Sequence, residues 1–247
     1  MAKKSVLVLG ATGRIGPSLL EELRQHDKDY EIIVGIHKTK SKDFKSKKID
    51  LTSVSKLKNA FKGIDVVVNL AAESDPGASF DDTVKPNLLG AYNVFEAARL
   101  AKVKRVVFAS SVHAIRGYEL GKKVKETQAP KPLNFYGASK VFGEALCNVF
   151  STKYNLSCLA IRIGAYVSND LKNKVCMTRD NLDYVISQRD LGQLIHKCII
   201  APKNIRYGIL AGSSNNKHLY MDLSSSRKLV GYKPQDDAFK MCEGVKG

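Results

Sequence analysis

Ser5-Val6-Leu7-Val8-Leu9-Gly10-Ala11-Thr12-Gly13-Arg14-Ile15-Gly16 is the stretch from which the fold is read. Val6-Leu7-Val8-Leu9 is a short apolar run of the kind that forms a strand buried on both faces. Three glycines spaced G-x-x-G-x-x-G follow it directly. Ile15, Leu19, Leu20 and Leu23 then recur at helical spacing, which predicts a helix over 15–23. Glycines between a strand and a helix allow a tight turn and let the backbone approach a pyrophosphate. The helix N-terminus there supplies N–H groups and partial positive charge. A glycine triplet alone is weak; its place inside a strand–turn–helix unit gives it meaning.

The same alternation continues along the chain. Strands are predicted over 31–36, 65–70, 105–109 and 157–163, and helices over 54–61, 86–100 and 135–150. Beyond Gly164 the pattern thins to a helix over 190–200, a sixth strand over 207–210 and a last helix over 222–229. The expectation is an α/β chain: a Rossmann-type, doubly wound parallel sheet over 1–163. Residues 164–247 would form a small C-terminal substrate-binding cap that lends the sheet its sixth strand.

Composition narrows the function. The 247 residues are 44 % apolar and 26 % charged, which excludes a disordered chain. No apolar run approaches the ~20 residues of a membrane span. Met1-Ala2-Lys3-Lys4 leads straight into the first strand without a signal-peptide core, so a cytoplasmic protein is expected. Forty Lys and Arg against 24 Asp and Glu give a net charge of +16. These cations are spread out with no nucleic-acid motif beside them, so no specific nucleic-acid partner is expected. Cys147, Cys158, Cys176, Cys198 and Cys242 form no C-x-x-C pair and read as five reduced, mostly buried thiols. No His/Cys cluster has zinc-site spacing, and no metal is expected.

Two further segments bear on a dinucleotide. The second strand ends in Gly35-Ile36-His37-Lys38-Thr39-Lys40, followed by Lys42, Lys45, Lys47 and Lys48. An acid here would hold the ribose hydroxyls of NAD; His37 and Lys38 would instead attract a 2′-phosphate, which favours NADP over NAD. Most of the other lysines read as a solvated loop. Asp50-Leu51, before the second helix, is either a helix-start carboxylate or a contact to the adenine ring.

Tyr136-Gly137-Ala138-Ser139-Lys140 opens the long helix and sets Tyr136 and Lys140 on one face at i and i+4. An ammonium beside a phenol favours the phenolate, so Lys140 is expected to lower the Tyr136 pKa from its usual ~10. Ser110-Ser111 ends the fourth strand, where ligands of open α/β sheets bind. A hydroxyl there can hold a substrate oxygen as its charge changes.

With these motifs in order, the chain resembles the extended branch of the short-chain dehydrogenase/reductase superfamily, the epimerase/dehydratase-like proteins, over nearly its whole length. Gly10, Gly13 and Gly16 match the glycine motif, Asp50 the adenine-side acid, and Asn69-Leu70-Ala71-Ala72 the segment beside the cofactor. Asn87 matches the cofactor-side Asn of a helix start, Ser111, Tyr136 and Lys140 the catalytic triad, and Val230-Gly231-Tyr232-Lys233-Pro234 a C-terminal signature. Within the branch it is similar to uronate dehydrogenases and related sugar dehydrogenases, through Phe108-Ala109-Ser110-Ser111-Val112-His113, Phe135 to Glu144, and Arg162-Ile163-Gly164. Val112 and Ala165 stand where the uronate enzymes carry Asn and Ser.

The resemblance implies an NAD(P)-dependent sugar dehydrogenase that oxidises a hydroxyl, such as C1 of a uronate, aldose or sugar phosphate. It implies cofactor contacts from Gly10, Thr12, Gly13, Arg14, Ile15, Gly16, His37, Lys38, Asp50, Leu51, Leu70, Ala71, Ala72, Asn87, Tyr136, Lys140 and Ile163. Ser74, Ser111, His113, Tyr136 and Lys174 would meet the substrate, with Lys172 and Arg179 as other cations for an anionic group. By the same analogy the helices over 86–100 and 135–150 would pair two chains into a homodimer. The competing readings are an epimerase or dehydratase with a tightly held cofactor, and a non-catalytic NADP-sensing protein on the same fold.

Overall fold

The computed structural model describes residues 3–37, 41, 43–168, 176 and 181–243. Strand β1 (Lys4–Leu9) lies inside a seven-stranded sheet, third from one edge. On one side lie β2 (Tyr30–Ile36) and β3 (Lys45–Lys48); on the other lie β4 (Val66–Asn69), β5 (Arg105–Ser111), β6 (Ser157–Ile163) and a last strand, Tyr207–Gly212. Every pairing is parallel. Strand order therefore reverses between β1 and β4, and open sheets of this kind bind ligands at such a point, beyond the strands' carboxyl ends. A separate pair, β7 (Ala165–Val167) and β8 (Val185–Ser187), follows β6. The last strand of the large sheet is β9.

The strands alternate between two cores. Val6 and Val8 of β1 join one cluster with Leu19, Leu20 and Leu23 of α1 (Gly16–Arg24) and Leu191, Leu194 and Ile195 of α6 (Gln188–Ile200). Leu7 and Leu9 join the other, with Leu57 of α2 (Val54–Ala60), Val94 and Phe95 of α4 (Gly90–Leu100) and Phe150 of α5 (Phe135–Tyr154). Adjacent residues of one strand feed opposite faces, so a sheet covered on both sides reads as an unbroken apolar run. Arg105 is buried among them. Its guanidinium donates to the carbonyls of Cys198, Ala201 and Pro202, closing the C-terminal end of α6.

Three elements differ from expectation. The helix predicted from Pro86 begins earlier, at α3 (Phe80–Thr83), capped by Ser79 and Asp82, and runs through a π turn (Val84–Leu89) that holds Pro86. A wide turn tolerates the missing proline N–H, so Pro86 does not mark the start. The segment from Lys45, read as solvated loop, is strand β3; the Lys47 ammonium donates to the carbonyls of Ala60 and Lys62, at the end of α2. Cys176 and Cys242 form a disulfide, which corrects the expectation of five reduced thiols. Their separation of 66 residues gives no pairing signal in sequence. Cys147, Cys158 and Cys198 are free and buried. The disulfide fastens α8 (Ala238–Met241), which follows α7 (Ser224–Val230), to a small cluster with Val167, Leu182 and Val185. No helix among the described residues is long and apolar enough to cross a membrane.

Candidate active site

A cleft of about 370 Å³ opens over the carboxyl ends of β1, β4, β5 and β6. Its floor at one end is the glycine turn. Gly10 has φ +75°, and a Cβ there would lie 2.8 Å from the Ala71 nitrogen, so only glycine lets β1 and β4 end this close together. The Gly13 N–H closes the turn on the Gly10 carbonyl at 3.0 Å. A Cβ on Gly13 would meet only that carbonyl oxygen, so the space beside the turn is open. The first turn of α1 carries no acid, and Arg14 is exposed beside it in the cleft. A bare helix N-terminus, an open glycine turn and an arginine together fit the pyrophosphate of a dinucleotide.

At the other end the side chains of β5 and α5 converge. Gly137 has no Cβ to strike the His113 carbonyl oxygen, so the first turn of α5 packs directly on the end of β5. Asn134 caps α5: its Oδ1 accepts from the Gly137 N–H at 2.7 Å. That fixes its amide, whose Nδ2 faces His113 Nδ1 at 3.1 Å. An amide NH₂ only donates, so Nδ1 is the acceptor and the His113 proton sits on Nε2. Burial, and then the Arg116 charge, pull the His113 pKa below its ordinary value and keep the ring neutral.

Lys140 is buried and donates from Nζ to the Ala109 carbonyl at 2.9 Å. The Nζ lies 5.4 Å from the centre of the Tyr136 ring. Burial lowers its pKa to about 8. Tyr136 goes the other way: burial raises its phenol above the ordinary value. The hydrogen bond with the Ser111 side chain and the charge of Arg14 pull it back, while Glu73 adds to the rise. The sequence-based expectation that Lys140 draws the phenol down is therefore corrected. In this geometry Lys140 points its ammonium at a backbone carbonyl, and Ser111 exerts the main downward pull.

Residues 6–193 match the NAD dependent epimerase/dehydratase family. The chain belongs to that family. It is 31 % identical to an L-arabinose 1-dehydrogenase (NAD(P)(+)) of Haloferax volcanii, an alignment covering 96 % of this chain and 99 % of that one. It is 29 % identical to an NAD-dependent glucose-6-phosphate dehydrogenase of the same organism, over 94 % of each. The structure superposes with a TM-score of 0.83 on a uronate dehydrogenase variant from Agrobacterium tumefaciens complexed with NAD; identity is 25 %, covering 100 % of this chain and 91 % of that one.

Most of the expected site residues border the cleft. Gly10, Gly13, Arg14, Ile15, Leu70, Ala71, Ala72, Ser74, Ser111, His113, Tyr136, Lys140 and Ile163 all line the cleft. Thr12, Gly16, His37, Asp50, Leu51 and Asn87 lie off it. Gly16 serves packing, since a Cβ there would collide with the Ala11 carbonyl. Asp50 accepts from Thr52 at 2.6 Å and from the Lys56 ammonium at 2.8 Å. The Lys56 bond, then those from Thr52, hold its carboxyl well below the usual range, and Ser53 is the cap of α2. Asn87 is committed to protein: its amide exchanges hydrogen bonds with the Glu73 backbone and donates to Ser139 Oγ at 2.9 Å. Lys38, Lys172, Lys174 and Arg179 lie outside the described residues.

Sequence reasoning missed Tyr166, Asn181 and Tyr184, which line the cleft from beyond β6. Tyr166 hydrogen-bonds Ser18 of α1, and the Arg116 guanidinium stacks over the Tyr184 ring. The period-2 pattern of Ala165-Tyr166-Val167 is too short to be read as a strand.

Proposed function

We propose that this chain is an NAD(P)-dependent sugar dehydrogenase that oxidises a hydroxyl of a sugar or sugar acid, C1 being the position the likeness favours. The observation that carries this reading is the convergence of Ser111, Tyr136 and Lys140 on one cleft with the glycine turn at its other end. When bound, the nicotinamide supplies the acceptor for hydride. The chain's own groups handle the proton and the substrate oxygen. Tyr136 Oη takes the proton of the reacting hydroxyl. Ser111 Oγ holds that oxygen as its charge changes. Lys140, buried next to the phenol, is held by Ala109 where it can meet ribose hydroxyls. Neutral His113 offers Nε2–H to an acceptor oxygen of the sugar.

The finer assignments have separate supports. NADP is preferred over NAD because β2 ends without a carboxylate among Ile36, His37, Lys38, Thr39 and Lys40. Residues 164–247 are the substrate side, supported by Gly164, Tyr166, Asn181 and Tyr184 in the cleft wall. Two chains pair through α4 and α5, supported by exposed apolar side chains at Leu89, Tyr92, Phe142 and Val149.

The test mixes protein with NADP or NAD and a panel of uronic acids, aldoses and sugar phosphates while following cofactor absorbance. Reduced cofactor should accumulate in proportion to the sugar consumed. Sugar converted without any accumulation would replace this reading with an epimerase or dehydratase.

A further inference from the structure

At the opposite end of the sheet from the cleft, the turn between α1 and β2 meets α6. His26 and Asp29 come from the turn and His196 from the helix. The two imidazoles stack with ring centres 3.6 Å apart and planes within 14°. His26 Nδ1 lies 3.9 Å from Asp29 Oδ2, and one ligand atom from each of the three residues falls within 4.8 Å of the others.

From this geometry we infer a binding site for a zinc-type divalent cation, formed by His26, Asp29 and His196. Two imidazoles and one carboxylate suit a borderline cation of this kind better than calcium or magnesium, which take oxygen shells. His196 is the fixed member: it is 7 % exposed, on a helix packed against α1. Tyr30 Oη sits 3.2 Å from its Nδ1. With Oη accepting the Nδ1 proton, Nε2 keeps its lone pair for the metal, the outer-shell arrangement usual for ligating histidines.

The other two members are free to close. Their side chains are 36 % and 50 % exposed. A tetrahedral shell with ~2.0–2.2 Å bonds brings its ligand atoms to about 3.3–3.6 Å from one another. Coordination requires the His26 ring to leave its stack on His196, so that both in-plane lone pairs point at one ion, and the partly exposed His26 and Asp29 side chains are the ones that would move. Three protein ligands leave one position for water. The cation would staple the α1–β2 turn to α6, and through them β2 to the far side of the fold.

The test uses untagged protein stripped of metal by a chelator. Zn²⁺ is titrated against a chromophoric competitor, and Co²⁺ is followed by its visible bands. One Zn²⁺ per chain is expected, with a rise in thermal midpoint that tracks its concentration. His26→Ala and Asp29→Asn, at a half-buried and an exposed position, should keep the native circular dichroism and bind zinc about tenfold more weakly or worse. Tyr30→Phe should weaken binding about 10- to 100-fold while leaving all three ligands in place. A wild-type chain that takes up no zinc at one equivalent overturns the assignment. So does zinc binding that is unchanged in the His26→Ala, Asp29→Asn double variant.

Discussion

Arg162 on β6 holds Glu144 on α5 through two hydrogen bonds, Nε to Oε1 at 2.8 Å and Nη2 to Oε2 at 2.9 Å. Both side chains are 3 % exposed. Ser110 at the end of β5 donates to the same Oε1 at 2.6 Å. One carboxylate thus ties together the helix bearing Tyr136 and Lys140 and the strand bearing Ser111.

Glu144→Ala leaves a buried guanidinium without its partner. It should cost about 3–5 kcal/mol in denaturant unfolding. Replacing both partners, Glu144→Leu with Arg162→Met, should recover most of that loss, because a buried ion pair gives little net stability over apolar groups of similar size. A double variant as unstable as the single one would contradict this.

Tyr136→Phe removes the group assigned to proton transfer and nothing that packs the cleft. Turnover should fall about 10²- to 10⁴-fold. Cofactor affinity, read by fluorescence titration, should stay near the wild-type value. Near-normal turnover would refute the proton-transfer role.

The pH dependence follows from the raised phenol. Oxidation needs Tyr136 deprotonated, and burial places its pKa above the ordinary phenol value. The rate of oxidation should climb as pH rises into the alkaline range, while the reverse reduction falls. The Ser111 hydrogen bond lowers that pKa, so Ser111→Ala should move the climb to higher pH as well as reduce the rate. A shift to lower pH would invert the assignment.

The glycines of the first turn should respond unequally. Gly16→Ala drives a Cβ into the Ala11 carbonyl and should destabilise the fold. Gly13→Ala meets only the Gly10 oxygen at 3.3 Å. It should remain folded, with stability within about 1 kcal/mol of wild type. Its main effect should be weaker dinucleotide binding, since the methyl occupies the space beside the turn. Thermal melts and cofactor titration separate the two.

Thiol titration tests the cross-link. Unfolded but unreduced protein should show three reactive thiols, from Cys147, Cys158 and Cys198. After reduction all five cysteines should react. Five before reduction would deny the bond between Cys176 and Cys242.

The sheet was legible because local chemistry and tertiary structure agree there. Val6 to Leu9 and Cys158 to Ile161 are buried on both faces, so apolarity alone marks them. The neighbourhood of Tyr136 and Lys140, proposed above as catalytic, was legible for a similar reason: spacing on one helix sets them side by side. What escaped depends on partners distant in sequence. The lysines of β3 carry no apolar signal, and only pairing with β2 makes them a strand. Nothing in the neighbourhood of Asn87 announces its hydrogen bonds to Glu73 and Ser139. The disulfide joins two segments that sequence spacing never relates. The direction of the Tyr136 shift depends on burial, which no motif records.

The lysines of β3 have a consequence for how this protein behaves in crowded solution. Among the described residues β3 pairs with β2 alone, so one flank of its backbone has no neighbouring strand there. Such a margin is a template onto which a second chain can add, the first step towards aggregates. Here it reads Lys45-Ser46-Lys47-Lys48. A like strand approaching in register would bring the exposed Lys45 and Lys48 against lysines of the newcomer and have to strip water from them. Part of the chain's positive charge therefore acts as a guard, keeping a seven-stranded sheet from acquiring an eighth from its neighbour.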